Sequence, residues 1–255
     1  MQEIFIQGRN LTETYHRALT ELETRGSIVD CSDWNQRQKE CAMTVHMEEP
    51  AAEPRISKLI IGGPYDLQRY VMELVDGILD FKINAGWDYT YHDRFTRYIP
   101  FVIGELKRNR ESRRAVISIR DNEVDSRTTD PACMQSIQYF IRNGRLDCMI
   151  LFRSNDLPEA FFFNAFALIM LQEKIARELG VETGTYTHRS NSMHCYEKDF
   201  QLLKNFVKAI GEKPGEELCY NYRGDWDEIM NAEIPGINKL VEELRCSGAA
   251  TGPGP

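Results

Sequence analysis

Apolar positions recur at helical spacing over residues 10–24 (NLTETYHRALTELET). Asn10 is placed to cap the first turn and Gly26 lies just past the end, so a helix is predicted there. The next twenty residues are mixed, with a short alternating segment at 43–46 that reads as a strand, and 48–54 (EEPAAEP) reads as a loop. Helical spacing returns at 66–78, opened by Asp66. The aromatic and polar run 84–100 (NAGWDYTYHDRFTRYIP) reads as an ordered functional loop. Alternation over 114–120, 135–141 and 148–153 predicts three strands. The last two are joined through Asn143-Gly144, a strong hairpin signal. Residues 157–179 are apolar nearly all round, which predicts a long buried helix stopped by Gly180. A further strand over 183–194 and an amphipathic helix over 196–210, ending at Gly211, complete the pattern.

Strand clusters and separate helices joined by at least one hairpin argue for an α+β fold rather than a doubly wound sheet. No internal repeat or clean linker divides the 255 residues, so one domain over 1–246 with a flexible tail over 247–255 is expected.

Composition narrows the class. At 42% hydrophobic and 27% charged, the chain is that of a globular protein. Its net charge of -8 argues against general nucleic-acid or membrane-surface binding, though a local basic pocket remains compatible with it. No apolar run reaches the ~18 uncharged residues of a membrane span. Nor does the N-terminus have a basic region followed by a long apolar stretch. Seven cysteines at irregular spacing, with no CxxC pair, fit a reducing compartment, and a cytoplasmic location is expected.

Candidate chemistry begins with arginine. Arg113 and Arg114 stand together ahead of one predicted strand, and Arg153 and Ser154 end another. Guanidinium matches phosphate with paired donors, although the same residues could simply form surface ion pairs. Cys133 follows the turn-like 130–132 and precedes an alternating run, so it is either a core thiol or a nucleophile whose thiolate nearby cations favour. Asn164 lies among apolar residues and must be satisfied by backbone or ligand; its donor and acceptor suit the N3–H and O4 edge of a uracil. His194 and Tyr196, two apart on a strand, share one face and could hold a sugar hydroxyl or serve as ordinary strand residues. His188 and His194 also share a face, but two imidazoles are a weak metal signal, and no metal is expected.

Together these residues resemble the thymidylate synthase family in its shorter archaeal form, over roughly residues 30–200. Arg113 and Arg114 match the family's twin phosphate arginines, and Cys133 its nucleophile. Arg153, Ser154 and Asp156 match its R-S-x-D, and Asn164 its base-reading asparagine. His194 and Tyr196 match its H-x-Y, Arg37 the arginine of its phosphate loop, and Glu73 its catalytic glutamate. Tyr91 matches the active-site tyrosine, with Tyr98 as the alternative.

The resemblance implies a mixed, mostly antiparallel sheet with helices on one side and the free face used for dimerisation. It implies a methyltransferase that forms dTMP from dUMP, with Cys133, Glu73, Tyr91 and Asp156 catalytic. Arg37, Arg113, Arg114, Arg153, Ser154, Asn164, His194 and Tyr196 would bind the nucleotide. The co-substrate would be 5,10-methylenetetrahydrofolate or a methanogen-type pterin. The protein would be a homodimer, Arg113 and Arg114 serving the partner's site, with no membrane or obligatory nucleic-acid partner.

Three features depart from the family pattern. Ala132-Cys133-Met134 replaces Pro-Cys-His, QKECAM follows Arg37 where a Thr-Gly-Thr-Gly run is usual, and the chain ends SGAATGPGP. A pyrimidine nucleotide hydroxymethylase is therefore the first alternative, with Asn164 favouring uracil because cytosine-reading members carry Asp there. A non-catalytic nucleotide- or RNA-binding homologue is the second.

Overall fold

The computed structural model describes residues 1–247, so the expectation for the tail lies, apart from the backbone of Ser247, outside the described residues. Among the described residues ten strands are formed: β1 (Glu3–Gly8), β2 (Ser27–Cys31), β3 (Gln36–Met47), β4 (Ile56–Ser57), β5 (Val116–Ser118), β6 (Met134–Arg142), β7 (Arg145–Phe152), β8 (Asn155–Asp156), β9 (Glu182–Tyr196) and β10 (Cys219–Tyr220). The helices are α1 (Leu11–Arg25), α2 (Pro64–Val71), α3 (Tyr91–Thr96), α4 (Ile99–Arg108), α5 (Asn122–Asp125), α6 (Phe162–Leu179), α7 (Phe200–Glu212) and α8 (Asp227–Ser247).

The main sheet runs β1-β3-β9-β7-β6-β5, with β2 paired to β3 and β8 to β9. It is mixed: β1/β3 and β9/β7 are parallel, whereas β3/β9, β7/β6 and β6/β5 are antiparallel. Alternation turns Cys41, Met43, Val45, Tyr186, His188, Cys148, Ile150, Ile137 and Tyr139 to one face, where they are buried with α1 and α6. The opposite face keeps Phe5, Val116 and Met149 exposed; Met149, on a central strand, is 46% accessible.

Helix α6 is apolar on nearly every side because it is buried on nearly every side. Phe162, Phe166 and Ile169 are all within 1% of complete burial, each worth about 1.5–3 kcal/mol. That packing fixes the first turn of α6, and with it Asn164.

Local chemistry explains most elements. Asn10 caps α1 by accepting from the Glu13 backbone N–H, and the hairpin turn places Asn143 and Gly144 at φ 51° and 76°. This doubly left-handed pair matches a two-residue turn. Among the described residues, no helix is long and apolar enough to cross a membrane.

Several sequence expectations need correction. The strand predicted at 43–46 is the end of the twelve-residue β3, whose first half alternates between polar residues and so carries little hydrophobic signal. The predicted loop 84–100 is largely helical from Tyr91, because Thr90 caps α3 by accepting from the Asp93 N–H. The helix at 66–78 starts at Pro64 and continues from Val71 into a π-helical turn, Met72–Asp76, which Gly77 ends at φ 68°. Gly211 does not stop α7, which runs to Glu212. Helix α8 carries Pro235 in its interior, which suppresses a helical reading of the sequence.

Candidate active site

The β6/β7 hairpin builds the first part of the site. Its pairing sets Met134 against Phe152, so Cys133 and Arg153 leave the ladder side by side. The Arg153 backbone N–H donates to the Cys133 carbonyl at 2.8 Å. The Arg153 guanidinium turns back onto the loop carrying the thiol, with Nε 3.3 Å from the Ala132 carbonyl and Nη2 2.5 Å from that of Pro131; Asp130 lies 3.8 Å away. On the other side, the Met134 N–H donates to the Tyr91 hydroxyl at 3.3 Å. Cys133 is thus held from both flanks. Burial pushes its thiol pKa up, the Arg153 charge pulls it down, and Asp130 adds to the rise.

These groups open into a cavity of about 450 Å³ that also exposes Ser154, Asp156, Asn164, His194 and Tyr196. Asn164, 5% accessible, accepts from the Tyr70 hydroxyl and donates to Asn155 Oδ1 at 3.3 Å. His194 Nδ1 lies 3.2 Å from the Ser192 carbonyl and 3.3 Å from Ser154 Oγ. A carbonyl can only accept, so Nδ1 carries the proton and Nε2 keeps a lone pair. That Nε2 is buried without a partner among the described residues, and burial lowers the ring's pKa. A neutral imidazole acceptor beside the Tyr196 phenol, with ring centroids 4.7 Å apart, is suited to a hydroxyl group.

Asp156 caps the turn entering α6, its Oδ1 accepting from the Glu159 N–H at 3.0 Å. Its Oδ2 is buried with no partner among the described residues. Burial, with Glu159 and Asp199 nearby, pushes its pKa up to about 7. The carboxylates of Asp156, Glu159 and Asp199 lie within 4.8 Å of one another, but Lys198 already supplies positive charge there, 2.7 Å from Glu159 and 3.6 Å from Asp199.

The other sequence candidates lie elsewhere. Glu73 sits on the π-helical turn outside the cavity wall, its carboxyl pKa raised by burial, near enough that its charge raises the Tyr70 phenol. Arg37 is the second residue of β3 and pairs with Glu197. Arg113 and Arg114 are exposed beyond the cavity and have no ion-pair partner among the described residues. The Tyr139 N–H donates to the Ala115 carbonyl, which sets Arg114 near Phe140, seven residues along β6 from Cys133. At ~3.3 Å per residue that is roughly 20 Å. Of the two tyrosines, Tyr91 lines the cavity and is buried, whereas Tyr98 is 42% exposed and does not.

The sequence reading overlooked Tyr70, Asn155, Trp34 and Cys31. Tyr70 stands one turn before Glu73 and Asn155 lies inside the R-S-x-D run, so adjacency to chosen residues was the available signal. Trp34 follows β2 in a polar hairpin loop and packs edge-on against Tyr196, a contact no periodicity announces.

Comparison with known proteins places the chain among relatives. The profile of the family described as Thymidylate synthase matches residues 79–232. The Methanocaldococcus jannaschii protein named "Putative thymidylate synthase" is 30% identical over 216 residues, 79% of this chain and 95% of that protein. A Pseudomonas phage M6 protein named "Deoxyuridylate hydroxymethyltransferase" is 33% identical over 149 residues, 54% of this chain and 42% of its own length. Among solved structures, thermostable thymidylate synthase A from Bacillus subtilis superposes with a TM-score of 0.63 at 15% identity, covering 78% of this chain and 84% of that one, which establishes a shared fold.

Proposed function

The chain belongs to the thymidylate synthase family, and from that premise we propose that it is a methyltransferase converting dUMP to dTMP, with 5,10-methylenetetrahydrofolate or a related methylene-pterin as co-substrate. One observation carries this reading. A thiol, a guanidinium, an amide and a His–Tyr pair converge on one cavity from four separate elements, as Cys133, Arg153, Asn164, His194 and Tyr196.

Arg153 and Ser154 bind the phosphate, joined by Arg37 and by Arg113 and Arg114 of the partner subunit. Arg37 can leave Glu197 cheaply, since both groups are exposed and water screens the pair. The long separation of Arg113 and Arg114 from their own Cys133 supports a shared site. The exposed sheet face bearing Phe5, Val116 and Met149 supports a homodimer built through it, each protomer a single catalytic domain over 1–246. His194 Nε2 accepts from the ribose hydroxyl, beside Tyr196. Asn164 pairs with the uracil edge.

The Cys133 thiolate adds to C6, forming the S–C6 bond and moving the C5=C6 electrons onto C5 and O4. The unpartnered, buried Oδ2 of Asp156 fits an N–H of a pterin ring, so Asp156 would hold the co-substrate against the nucleotide. When bound, the pterin would supply the one-carbon unit taken up at C5, leaving as its N–CH2 bonds break, and, for a methyl product, the hydride, which leaves it as the dihydro form. Tyr91, beside the thiol, relays protons at C5, while Glu73, behind the cavity wall and kept protonated to higher pH by burial, would reach O4 only through an intervening water. Loss of the C5 proton and departure of the Cys133 thiolate restore the double bond.

A second reading, a dUMP hydroxymethylase, is favoured by the phage relative. It differs only in water rather than hydride completing the product, so exclusion of water decides between them. A binding homologue without catalysis would leave Cys133 and Glu73 idle. Incubation with dUMP and methylenetetrahydrofolate, followed by mass spectrometry, separates the three. dTMP with dihydrofolate supports the first, hydroxymethyl-dUMP with tetrahydrofolate the second. No product, and no adduct of 5-fluoro-dUMP on Cys133, would leave the third.

A further inference from the structure

Behind Asn164 runs a continuous chain of buried polar groups. The Tyr70 hydroxyl bonds Asn164 Oδ1, and Asn164 Nδ2 lies 3.3 Å from Asn155 Oδ1. Asn155 Nδ2 lies 3.0 Å from His188 Nε2, and His188 Nδ1 lies 3.1 Å from the Tyr186 hydroxyl. Asn155 is 4% accessible, and His188 and Tyr186 are fully buried. The imidazole is stacked on Phe152 at 4.7 Å and meets Phe161 edge-on at 4.8 Å. Burial in this apolar cage keeps the ring neutral, its pKa pushed down to about 3.

Donor and acceptor rules make every link of the chain share one direction, and the structure holds one of the two that are allowed. An amide nitrogen only donates, so His188 Nε2 is the bare nitrogen and the proton sits on Nδ1, facing Tyr186. Asn155 Oδ1 then accepts from Asn164, and Asn164 Oδ1 accepts from Tyr70. Turning either amide alone would set donor against donor or acceptor against acceptor in a dry core, forfeiting bonds and leaving buried groups unsatisfied. The one other consistent arrangement reverses every link together, with His188 protonated on Nε2. In either direction Asn164 retains one N–H and one lone pair without a partner among the described residues, and it lines the cavity.

The two directions present opposite polarity to a bound base. Uracil offers an acceptor at O4 and a donor at N3, whereas cytosine offers a donor at N4 and an acceptor at N3. We propose that the relay Tyr70–Asn164–Asn155–His188–Tyr186 sets base choice by fixing the amide orientation of Asn164, making Tyr70, Asn155, His188 and Tyr186 positioning residues for uracil selection. This rests on the reading of the cavity as a pyrimidine nucleotide site.

The test compares dissociation constants for dUMP, dCMP and base-free deoxyribose 5′-phosphate in the wild type, Tyr70→Phe and His188→Phe, by calorimetry. Loss of one orienting bond should cut the preference for dUMP over dCMP by about tenfold in each variant, with binding of the base-free phosphate unchanged. A purely structural role would weaken all three ligands alike. A second measurement needs no variant: long-range ¹H–¹⁵N spectra of the wild type should show His188 as the Nδ1–H tautomer, and an Nε2–H tautomer overturns the stated direction. Unchanged discrimination in both variants, with dUMP still bound, overturns base selection by the relay alone. A wild type that binds neither nucleotide overturns the functional reading and this selection with it.

Discussion

Arg153 and Cys133 are bonded backbone to backbone at 2.8 Å, while the guanidinium of the same arginine grips the two carbonyls that precede the cysteine. One residue therefore both shapes the nucleophile loop and supplies the positive charge that offsets burial of the thiol.

Arg153→Met should accordingly raise the Cys133 pKa and loosen its loop. The alkylation rate of Cys133 by iodoacetamide, followed by mass spectrometry across pH, should move to higher pH and drop about tenfold at pH 7.5 for each unit of rise. Arg153→Lys should recover part of this, since an ammonium restores charge but not the two-carbonyl grip. An unmoved profile in Arg153→Met would contradict the electrostatic role.

If Arg113 and Arg114 serve the neighbouring protomer, two inactive variants should complement each other. Cys133→Ser homodimers should lose turnover by roughly a thousandfold or more while still binding dUMP. A dimer lacking both arginines should also be inactive. Mixed after subunit exchange, half the dimers are heterodimers with one intact site each, so about a quarter of wild-type activity should return. No recovery, with exchange verified by mass, would mean that each site is built within one chain.

Asp156 should weaken the fold at high pH. Its pKa is about 7 in the folded chain, against 3.8 ordinarily. Between these values the folded chain holds a proton that the unfolded chain has released, so stability falls as pH rises and stays reduced above 7. Asp156→Asn keeps the cap to Glu159 and cannot ionise. It should stabilise the protein by about 4 kcal/mol at pH 8 and by about 2 kcal/mol at pH 5, with loss of activity, as measured by urea unfolding and turnover.

His16 should do the reverse in acid. It is buried with Nε2 2.8 Å from Ser57 Oγ, its pKa pushed down to about 4 from 6.5. As pH falls from 6.5 toward 4, the unfolded chain gains a proton that the folded chain refuses, so the contribution present above 6.5 is lost. His16→Gln should lose about 2 kcal/mol less than wild type between pH 7 and 5 in urea titrations.

How far the sequence reached can be judged from particular residues. The β6/β7 hairpin was legible because Asn143-Gly144 dictates a local turn, but counting back from it sets Cys133 opposite Ser154; the register shift between Met134 and Ser136 brings it beside Arg153 instead. Helix α6 was legible because its apolar run outweighs every other local signal, and Asn164 stood out as the polar exception. Helix α8 and the first half of β3 were hidden, since an internal proline masked one and polar alternation the other.

The sequence alone determined the α+β class, the hairpin, the buried helix and the residue types a nucleotide site needs, because turn chemistry and hydrophobic period act over a few neighbouring residues. Only the tertiary structure decided that Tyr91 and not Tyr98 meets the thiol loop. It alone set Arg113 and Arg114 far from their own cysteine, and threaded Tyr70, Asn155, His188 and Tyr186 behind Asn164. Those outcomes depend on which strands lie side by side and in what register. Hydrogen bonds between residues up to 94 positions apart, as from Tyr70 to Asn164, leave no periodic trace in the chain that forms them.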